Sequence, residues 1–168
     1  MSYQEVYLEL KHAKENTESK SNALIYCTGT PDCQFERFNQ TIIVNADNGR
    51  ISDEALKQKL VRLQAKNLNQ ANPIYLSVPA GQHELVVRFY PISKDKAETL
   101  HVFHRFQANN RYSLKMFRDR SARSSSLLNS SAPDPLCVDL VQEQKTIRRF
   151  CKPYNAVTGI AEFVEKKI

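Results

Sequence analysis

Two histidines, His101 and His104, have a spacing that brings metal ligands together on a helix. They lie in the run Leu100 to Phe106, where apolar and polar residues alternate, and this alternation predicts a β-strand. In a strand, residues three apart point to opposite faces, so the two imidazoles cannot converge on one ion. We therefore predict no metal site, and we place His104 in a half-buried position on the apolar face.

Nucleophilic catalysis has no motif in this sequence. The Gly-x-Ser-x-Gly stretch of serine hydrolases is absent, and no cysteine lies in a local cysteine-protease signature. Only 4 glycines occur and none are clustered, which argues against phosphate-binding loops. The carboxylates Asp134 and Asp139 are ordinary for this composition. We predict that the protein is not an enzyme and has no catalytic residues and no cofactor.

The 4 cysteines form two local pairs, Cys27 with Cys33 and Cys137 with Cys151. Four cysteines allow three connectivities, and proximity in the chain favours these two closures, each worth about 2–3 kcal/mol. Free buried thiols and a zinc site remain alternatives, although neither spacing matches the close cysteine pairs of structural zinc modules. The disulfide interpretation predicts an oxidising compartment.

The formal net charge of +6 permits nucleic acid, an anionic membrane surface or an acidic partner. Basic residues are densest from Lys115 to Arg123 and from Lys145 to Lys152, and such runs usually face water. An alternative function is nucleic-acid binding through the basic loop 118–123 and the segment 145–152. The candidate basic patch consists of Arg118, Arg120, Arg123, Lys145, Arg148 and Arg149.

Strand-like runs dominate the elements that must position these residues. The one predicted helix is Ser52 to Gln64, with Ser52 as N-cap, an acidic first turn, and Leu56, Leu60 and Leu63 at helical spacing. We predict a mainly β fold with one helix (α+β), an antiparallel β-sandwich or meander packed against that helix. The 168 residues fit a single domain, 1–168, with a long exposed loop at about 118–135.

Turn signals between these runs predict hairpins. Pro79 to Gln82 is predicted to pair Ile74–Val78 with Glu84–Tyr90, and Gln107 to Asn110 to continue a three- to four-strand meander. His83, beside the first turn, is predicted to hydrogen-bond to backbone. Further strands are predicted at Tyr3–Leu10, where a short helix is the alternative, and at Ala23–Cys27, Thr41–Val44, Leu100–Phe106, Tyr112–Met116, Leu136–Val141 and Thr146–Phe150, the last two as partners that bring Cys137 toward Cys151.

The segment Val-Pro-Ala-Gly-Gln-His-Glu-Leu-Val-Val, followed by an apolar strand and then Asn-Asn-Arg-Tyr-Ser-Leu, contains a short motif. It resembles the Pro-x-Gly-x-His hairpin of PEGA-like domains and of small bacterial envelope lipoproteins, in which a Pro-Gly turn leads into a His-containing strand. The resemblance covers about Ile74 to Met116, with Ala80 where the family motif has Glu. It implies a β-sandwich accessory module of the bacterial cell envelope, without catalytic residues to carry over.

The leading interpretation is a non-catalytic, periplasmic accessory or binding module of the bacterial cell envelope. We expect another envelope protein, a cell-wall partner or an anionic polymer as its ligand, with nucleic acid as the alternative. Met1 to Glu5 lacks the basic start and apolar core of a secretory signal, and no run approaches the roughly 20 apolar residues of a spanning helix. We therefore expect a periplasmic or outer-membrane-anchored protein whose leader is absent from this chain, with a cytoplasmic location as the alternative.

Overall fold

The computed structural model describes residues 22–28, 32–63, 74–91, 97–119, 135–152 and 162–168. Within them the chain forms β-strands almost throughout and one short helix, so the predicted mainly β class with a single helix is confirmed. The predicted strand Tyr3–Leu10 and most of the predicted loop 118–135, including Arg120 and Arg123, lie outside the described residues.

Eleven strands and the helix follow one another along the described segments. The helix α1 (Asp53–Lys57) lies between the strands Thr41–Ile42 and Val61–Leu63. The strands are β1 (Asn22–Thr28), β2 (Asp32–Phe38), β3 (Thr41–Ile42), β4 (Val61–Leu63), β5 (Ile74–Pro79), β6 (Gly81–Tyr90), β7 (Glu98–Phe106), β8 (Arg111–Arg118), β9 (Leu136–Gln142), β10 (Lys145–Lys152) and β11 (Val164–Lys166).

These strands form two sheets. Sheet A has the spatial order β11-β10-β9-β8-β1-β5-β4, and sheet B has the order β3-β2-β6-β7. Among the described strands, β1 and β8 run parallel and the other neighbours are antiparallel. Alternate residues of the longer strands point inward, and the inward side chains of both sheets share one hydrophobic core. Its fully buried members include Ile25, Phe35, Leu76, Leu114 and Leu140.

The segment Pro79 to Gln82 does not form the predicted hairpin. It joins β5, which lies between β1 and β4 in sheet A, to β6, which lies between β2 and β7 in sheet B. The turn Gln107 to Asn110 likewise leads from β7 in sheet B to β8 in sheet A. The predicted meander is therefore wrong in its pairing, and only its β6–β7 pair is present.

His83 fastens the corner between β5 and β6. Its Nε2 lies 2.8 Å from the carbonyl oxygen of Pro79, and its Nδ1 lies 2.9 Å from the side-chain nitrogen of Asn39. An amide nitrogen can only donate, so Nδ1 accepts and Nε2–H donates to Pro79. The predicted backbone hydrogen bond of His83 is confirmed. Gly81 adopts φ +132°, a conformation that glycine adopts readily.

The helix is shorter than predicted. Ser52 is its N-cap, with a side-chain oxygen that accepts from the Ala55 N–H at 3.0 Å, but α1 ends at Lys57. Lys59 has φ +58°, which stops helical propagation. Beyond Lys59, Val61–Leu63 pairs with β5. Pairing with β5 replaces the hydrogen bonds that a longer helix would have made and places Val61–Leu63 against the core. Leu60 and Leu63 are buried, but outside the helix.

Both predicted cysteine pairings are confirmed. Cys27 in β1 is bonded to Cys33 in β2, so this disulfide joins sheet A to sheet B. Cys137 and Cys151 lie directly opposite each other in the predicted β9–β10 hairpin, with Cα atoms 4.1 Å apart. All four cysteines are therefore paired, which leaves no thiol for the zinc or free-thiol alternatives.

Candidate binding surfaces

The residues of the predicted basic patch do not lie together. Arg148 and Arg149 are consecutive in β10, so their side chains leave sheet A on opposite faces. Lys145 begins β10 opposite the end of β9, whereas Arg118 ends β8 opposite its start. These two exposed residues are therefore about 20 Å apart along the sheet. Arg120 and Arg123 lie outside the described residues.

Arg148 connects the two sheets at their neighbouring edges. Its Nε and Nη2 donate to the two carboxylate oxygens of Glu165 in β11, at 2.8 and 2.7 Å. Its Nη1 donates to the carbonyl oxygen of Phe103 in β7 at 2.6 Å. The hydrogen bonds to Glu165 raise the pKa of Arg148 and lower the pKa of Glu165. The hydrogen bonds of Arg148 therefore stabilise the fold, and its guanidinium is not available to a ligand.

His104 occupies the half-buried site predicted for it. Its ring meets Phe106 and Tyr112 edge-on, with centroids 5.1 and 5.7 Å away. Burial lowers the pKa of His104, the charge of Arg148 lowers it further, and Glu165 acts in the opposite direction. Because a guanidinium only donates, the 3.2 Å contact with Arg148 makes Nδ1 the acceptor and leaves the proton on Nε2.

A row of charged residues crosses the outer face of sheet A. Arg149 donates to both oxygens of Asp139, from Nε at 2.7 Å and from Nη2 at 2.9 Å. These hydrogen bonds raise the pKa of Arg149. Lys115 in β8 lies opposite Asp139 in the strand register, and Lys166 in β11 lies opposite Arg149. We call Lys115, Arg149 and Lys166 the cationic row.

The row adjoins an apolar strip on the same face. Phe117 lies two residues beyond Lys115 in β8 and opposite Cys137, which is bonded to Cys151. The guanidinium of Arg149 stacks on the Phe117 ring, 5.2 Å from its centroid. The disulfide is fully buried and cross-links the β9–β10 hairpin, which lies between β8, the strand of Lys115 and Phe117, and β11, the strand of Lys166.

Sheet B presents a second outer face, with two exposed apolar side chains. Phe103 in β7 is 59% exposed and Ile42 in β3 is 49% exposed. Ile42, Arg37, Val86 and His101 lie opposite one another across the four strands, and Phe103 follows two residues after His101. We call this surface, which also carries the exposed Arg105, the sheet B outer face.

Internal ion pairs hold the polar residues of the sheet B outer face. Arg37 in β2 pairs with Glu84 in β6. Arg88 donates from Nη2 to Gln34 and to the carbonyl oxygen of Val44, both at 3.1 Å. These contacts fix long side chains beside the strands, which leaves Phe103 and Ile42 as the prominent apolar groups.

The sequence indicates that Phe103 is exposed, although Phe103 belongs to none of the motifs considered above. In the alternation of β7, Phe103 falls with His101 and Arg105 on the polar side. A large aromatic residue on a solvent-exposed face indicates a binding surface. The sequence does not indicate that Lys166 lies beside Arg149, because this position depends on the pairing of a three-residue strand.

Comparison of the chain with protein-family models, with curated proteins and with solved structures finds no match. The resemblance to PEGA-like envelope domains therefore stays a prediction. In the part of the chain that the structure describes, no helix has the length and apolarity needed to cross a membrane. The same residues contain no cluster of three or more side chains arranged to hold a metal ion.

Proposed function

We propose that the protein is a non-catalytic binding module of the bacterial cell envelope, and that its sheet B outer face binds a protein partner. The observation that carries this proposal is the exposed Phe103 at the centre of β7. Aromatic residues are enriched in protein interfaces, where a few buried side chains supply much of the free energy of association. A side chain of this size left in water on an ordered sheet face favours a binding role.

The surroundings of Phe103 favour a protein as the ligand. Ile42 adds a second exposed apolar group on the opposite edge strand, and the Arg37–Glu84 pair lies between Ile42 and Phe103, so this face combines apolar and polar groups as protein interfaces do. Arg105 is exposed and has no ion-pair partner among the described residues. The partner therefore offers an apolar pocket to Phe103 and a carboxylate to Arg105.

Two disulfides support the compartment in this proposal. Structural disulfides persist in oxidising environments such as the periplasm and the cell exterior. Cys27–Cys33 joins the two sheets, and Cys137–Cys151 lies fully buried within sheet A, so both belong to the fold. The bacterial assignment rests on the resemblance of the Pro79, Gly81 and His83 motif to envelope domains.

The nucleic-acid alternative through the predicted basic patch receives less support. Arg148 donates two hydrogen bonds to Glu165 and one to Phe103, so a phosphate must compete with internal acceptors for this side chain, and Arg149, on the opposite face of the sheet, cannot join it in one patch. The exposed Lys145 and Arg118 lie near opposite ends of the sheet. We therefore rank protein binding first.

Photo-crosslinking in the cells that produce the protein tests this function. A photoreactive residue replaces Phe103 in one variant and Lys57, an exposed residue of α1, in the control. We expect a discrete protein adduct from position 103 that position 57 does not form. Absence of an adduct at 103, or the same adducts from both positions, contradicts the proposal.

Affinity measurements with the crosslinked partner then test the role of Phe103. Phe103→Ala removes the proposed anchor, and we expect it to weaken binding by at least about 2 kcal/mol, or roughly thirtyfold. Val164→Ala is the matched control, because Val164 is also 59% exposed but lies in β11. Equal losses in the two variants contradict an anchoring role.

A further inference from the structure

The cationic row gathers its charges on a short line perpendicular to the strands. Lys115, Arg149 and Lys166 lie in β8, β10 and β11, so the row crosses three strand spacings, about 15 Å. Asp139 is the one carboxylate in the row, and Asp119, beyond the end of β8, also acts on Arg149 electrostatically. Lys115, Arg149 and Lys166 against these two carboxylates leave this surface with a net charge of +1.

The charges of the row remain available to a ligand. Lys115 and Lys166 are exposed, and neither has an ion-pair partner within the described segments. Arg149 commits Nε and Nη2 to Asp139, which leaves the donors of Nη1 on a side chain that is 33% exposed. Lysine ammonium groups and a guanidinium fixed by a carboxylate form a surface suited to phosphate oxygens.

We propose that the cationic row binds a linear phosphate-bearing polymer without nucleobases, lying across strands β8 to β11. The covered ring of Phe117 favours a polymer without bases. Proteins that hold single-stranded nucleic acid stack bases on aromatic side chains, but here the guanidinium of Arg149 lies over that ring. The cationic row therefore recognises the repeated phosphate charges of a polymer and not nucleobases.

This surface is independent of the proposed protein site. It lies on sheet A, whereas Phe103 and Ile42 lie on sheet B. A single domain thereby holds an anionic envelope polymer with one sheet and a protein with the other. Phe103→Ala leaves every charge of the cationic row in place, so failure of one proposal does not imply failure of the other.

Binding of the full chain to inorganic polyphosphate, measured over a salt series, tests the inference. Lys115→Ala and Lys166→Ala each remove one cation, and we expect each to weaken binding about fivefold. Each is also expected to lower the slope of log affinity against log salt by about one. Lys57→Ala removes the same charge from α1 and is expected to change affinity by less than about twofold. Lys115→Arg and Lys166→Arg are expected to retain binding.

Three results overturn the inference. The first is no binding to polyphosphate at low salt. The second is an equal loss in Lys57→Ala and in the row variants, because net charge alone would then explain the affinity. The third is displacement of polyphosphate by single-stranded DNA at a lower phosphate concentration, because that outcome assigns the row to nucleic acid. The inference is supported if polyphosphate outcompetes the DNA and if binding of polyphosphate depends on both lysines.

Discussion

Cys27 and Cys33 are separated by six positions in the chain but lie in different sheets, with their Cα atoms 6.2 Å apart. This bond joins the end of β1 in sheet A to the start of β2 in sheet B. Cys137 and Cys151, separated by 14 positions, instead cross-link neighbouring strands of sheet A. The two disulfides therefore make different contributions to the same fold.

Removal of each disulfide is expected to destabilise the protein according to the loop it closes. Replacing Cys27 and Cys33 with Ala is expected to lower the free energy of unfolding by about 2 kcal/mol, and replacing Cys137 and Cys151 by about 3 kcal/mol. The difference arises because the longer loop loses more chain entropy when it is closed. Urea unfolding measures both. A larger cost for the Cys27–Cys33 pair contradicts this entropic account.

Arg148 is expected to hold β11 against β10. Arg148→Gln removes the two hydrogen bonds to Glu165 and the one to Phe103, so amide exchange of Val164–Lys166 should accelerate. The partly exposed ion pair limits the loss of global stability to about 1 kcal/mol. Arg105→Gln removes an exposed charge of β7 and serves as the control. Unchanged protection of β11 in Arg148→Gln contradicts this role.

Local patterns predict most strands of this fold and two of its pairs, β6–β7 and β9–β10, but not the neighbours that are distant in the chain. The alternation in Glu84–Tyr90 predicts β6, and Pro79 with Gly81 predicts a change of chain direction. Which sheet β6 joins depends on β2, a strand more than forty residues earlier in the chain. A turn signal contains no information about such a distant partner, so the predicted hairpin is instead a corner between sheets.

The predicted length of the helix and the predicted basic patch were wrong for related reasons. Leu56, Leu60 and Leu63 fit a helical period, yet Val61 and Leu63 also fit the alternation of a strand, and β5 decides between the two. Density of positive charge in the sequence predicts neither the separation of Arg148 from Arg149 nor the carboxylates that they meet. The cysteine pairs were predictable because short loops leave few alternatives.

His104 is expected to make stability depend on pH. Its folded pKa lies below the unfolded value of about 6.5, so the unfolded chain binds more protons as the pH falls through that range. The stabilisation is therefore complete above about pH 6.5 and is lost as the pH falls through the folded pKa. Arg148, Glu165 and Tyr112 surround this imidazole.

Unfolding free energies at about pH 7.5 and about pH 5.5 measure this effect. We expect wild type to lose more stability on acidification than His104→Gln, which keeps a polar side chain but cannot titrate. Glu165 titrates below this window, because its pKa is lowered from an already acidic value. Equal losses in the two proteins would falsify the assignment of this pH dependence to His104.

The β9–β10 turn is expected to gain stability from glycine. Glu143 and Gln144 have φ values of +47° and +73°, a conformation that costs a residue with a side chain about 1–2 kcal/mol. Gln144→Gly relieves this cost, and we expect a net stabilisation of about 0.5–1 kcal/mol after the entropy of the unfolded chain is included. Glu143 is kept, because its carboxylate accepts from the Arg111 N–H at 2.6 Å.

Lys57→Gly is the control for that substitution. It introduces the same residue into helical backbone, where glycine is expected to destabilise by about 1 kcal/mol. Opposite signs in thermal unfolding support the role of backbone conformation. Destabilisation by Gln144→Gly contradicts it.

We propose that the module carrying both surfaces works outside the reducing cytoplasm, and the oxidation state of its cysteines in living cells tests this proposal most directly. Cells are lysed directly into denaturant that contains an alkylating reagent, so that buried thiols also react, and the protein is weighed after alkylation with and without prior reduction. We predict that none of Cys27, Cys33, Cys137 and Cys151 is alkylated without reduction and that all four are alkylated after it. Four alkylated cysteines in unreduced protein would contradict the envelope location and the function that depends on it.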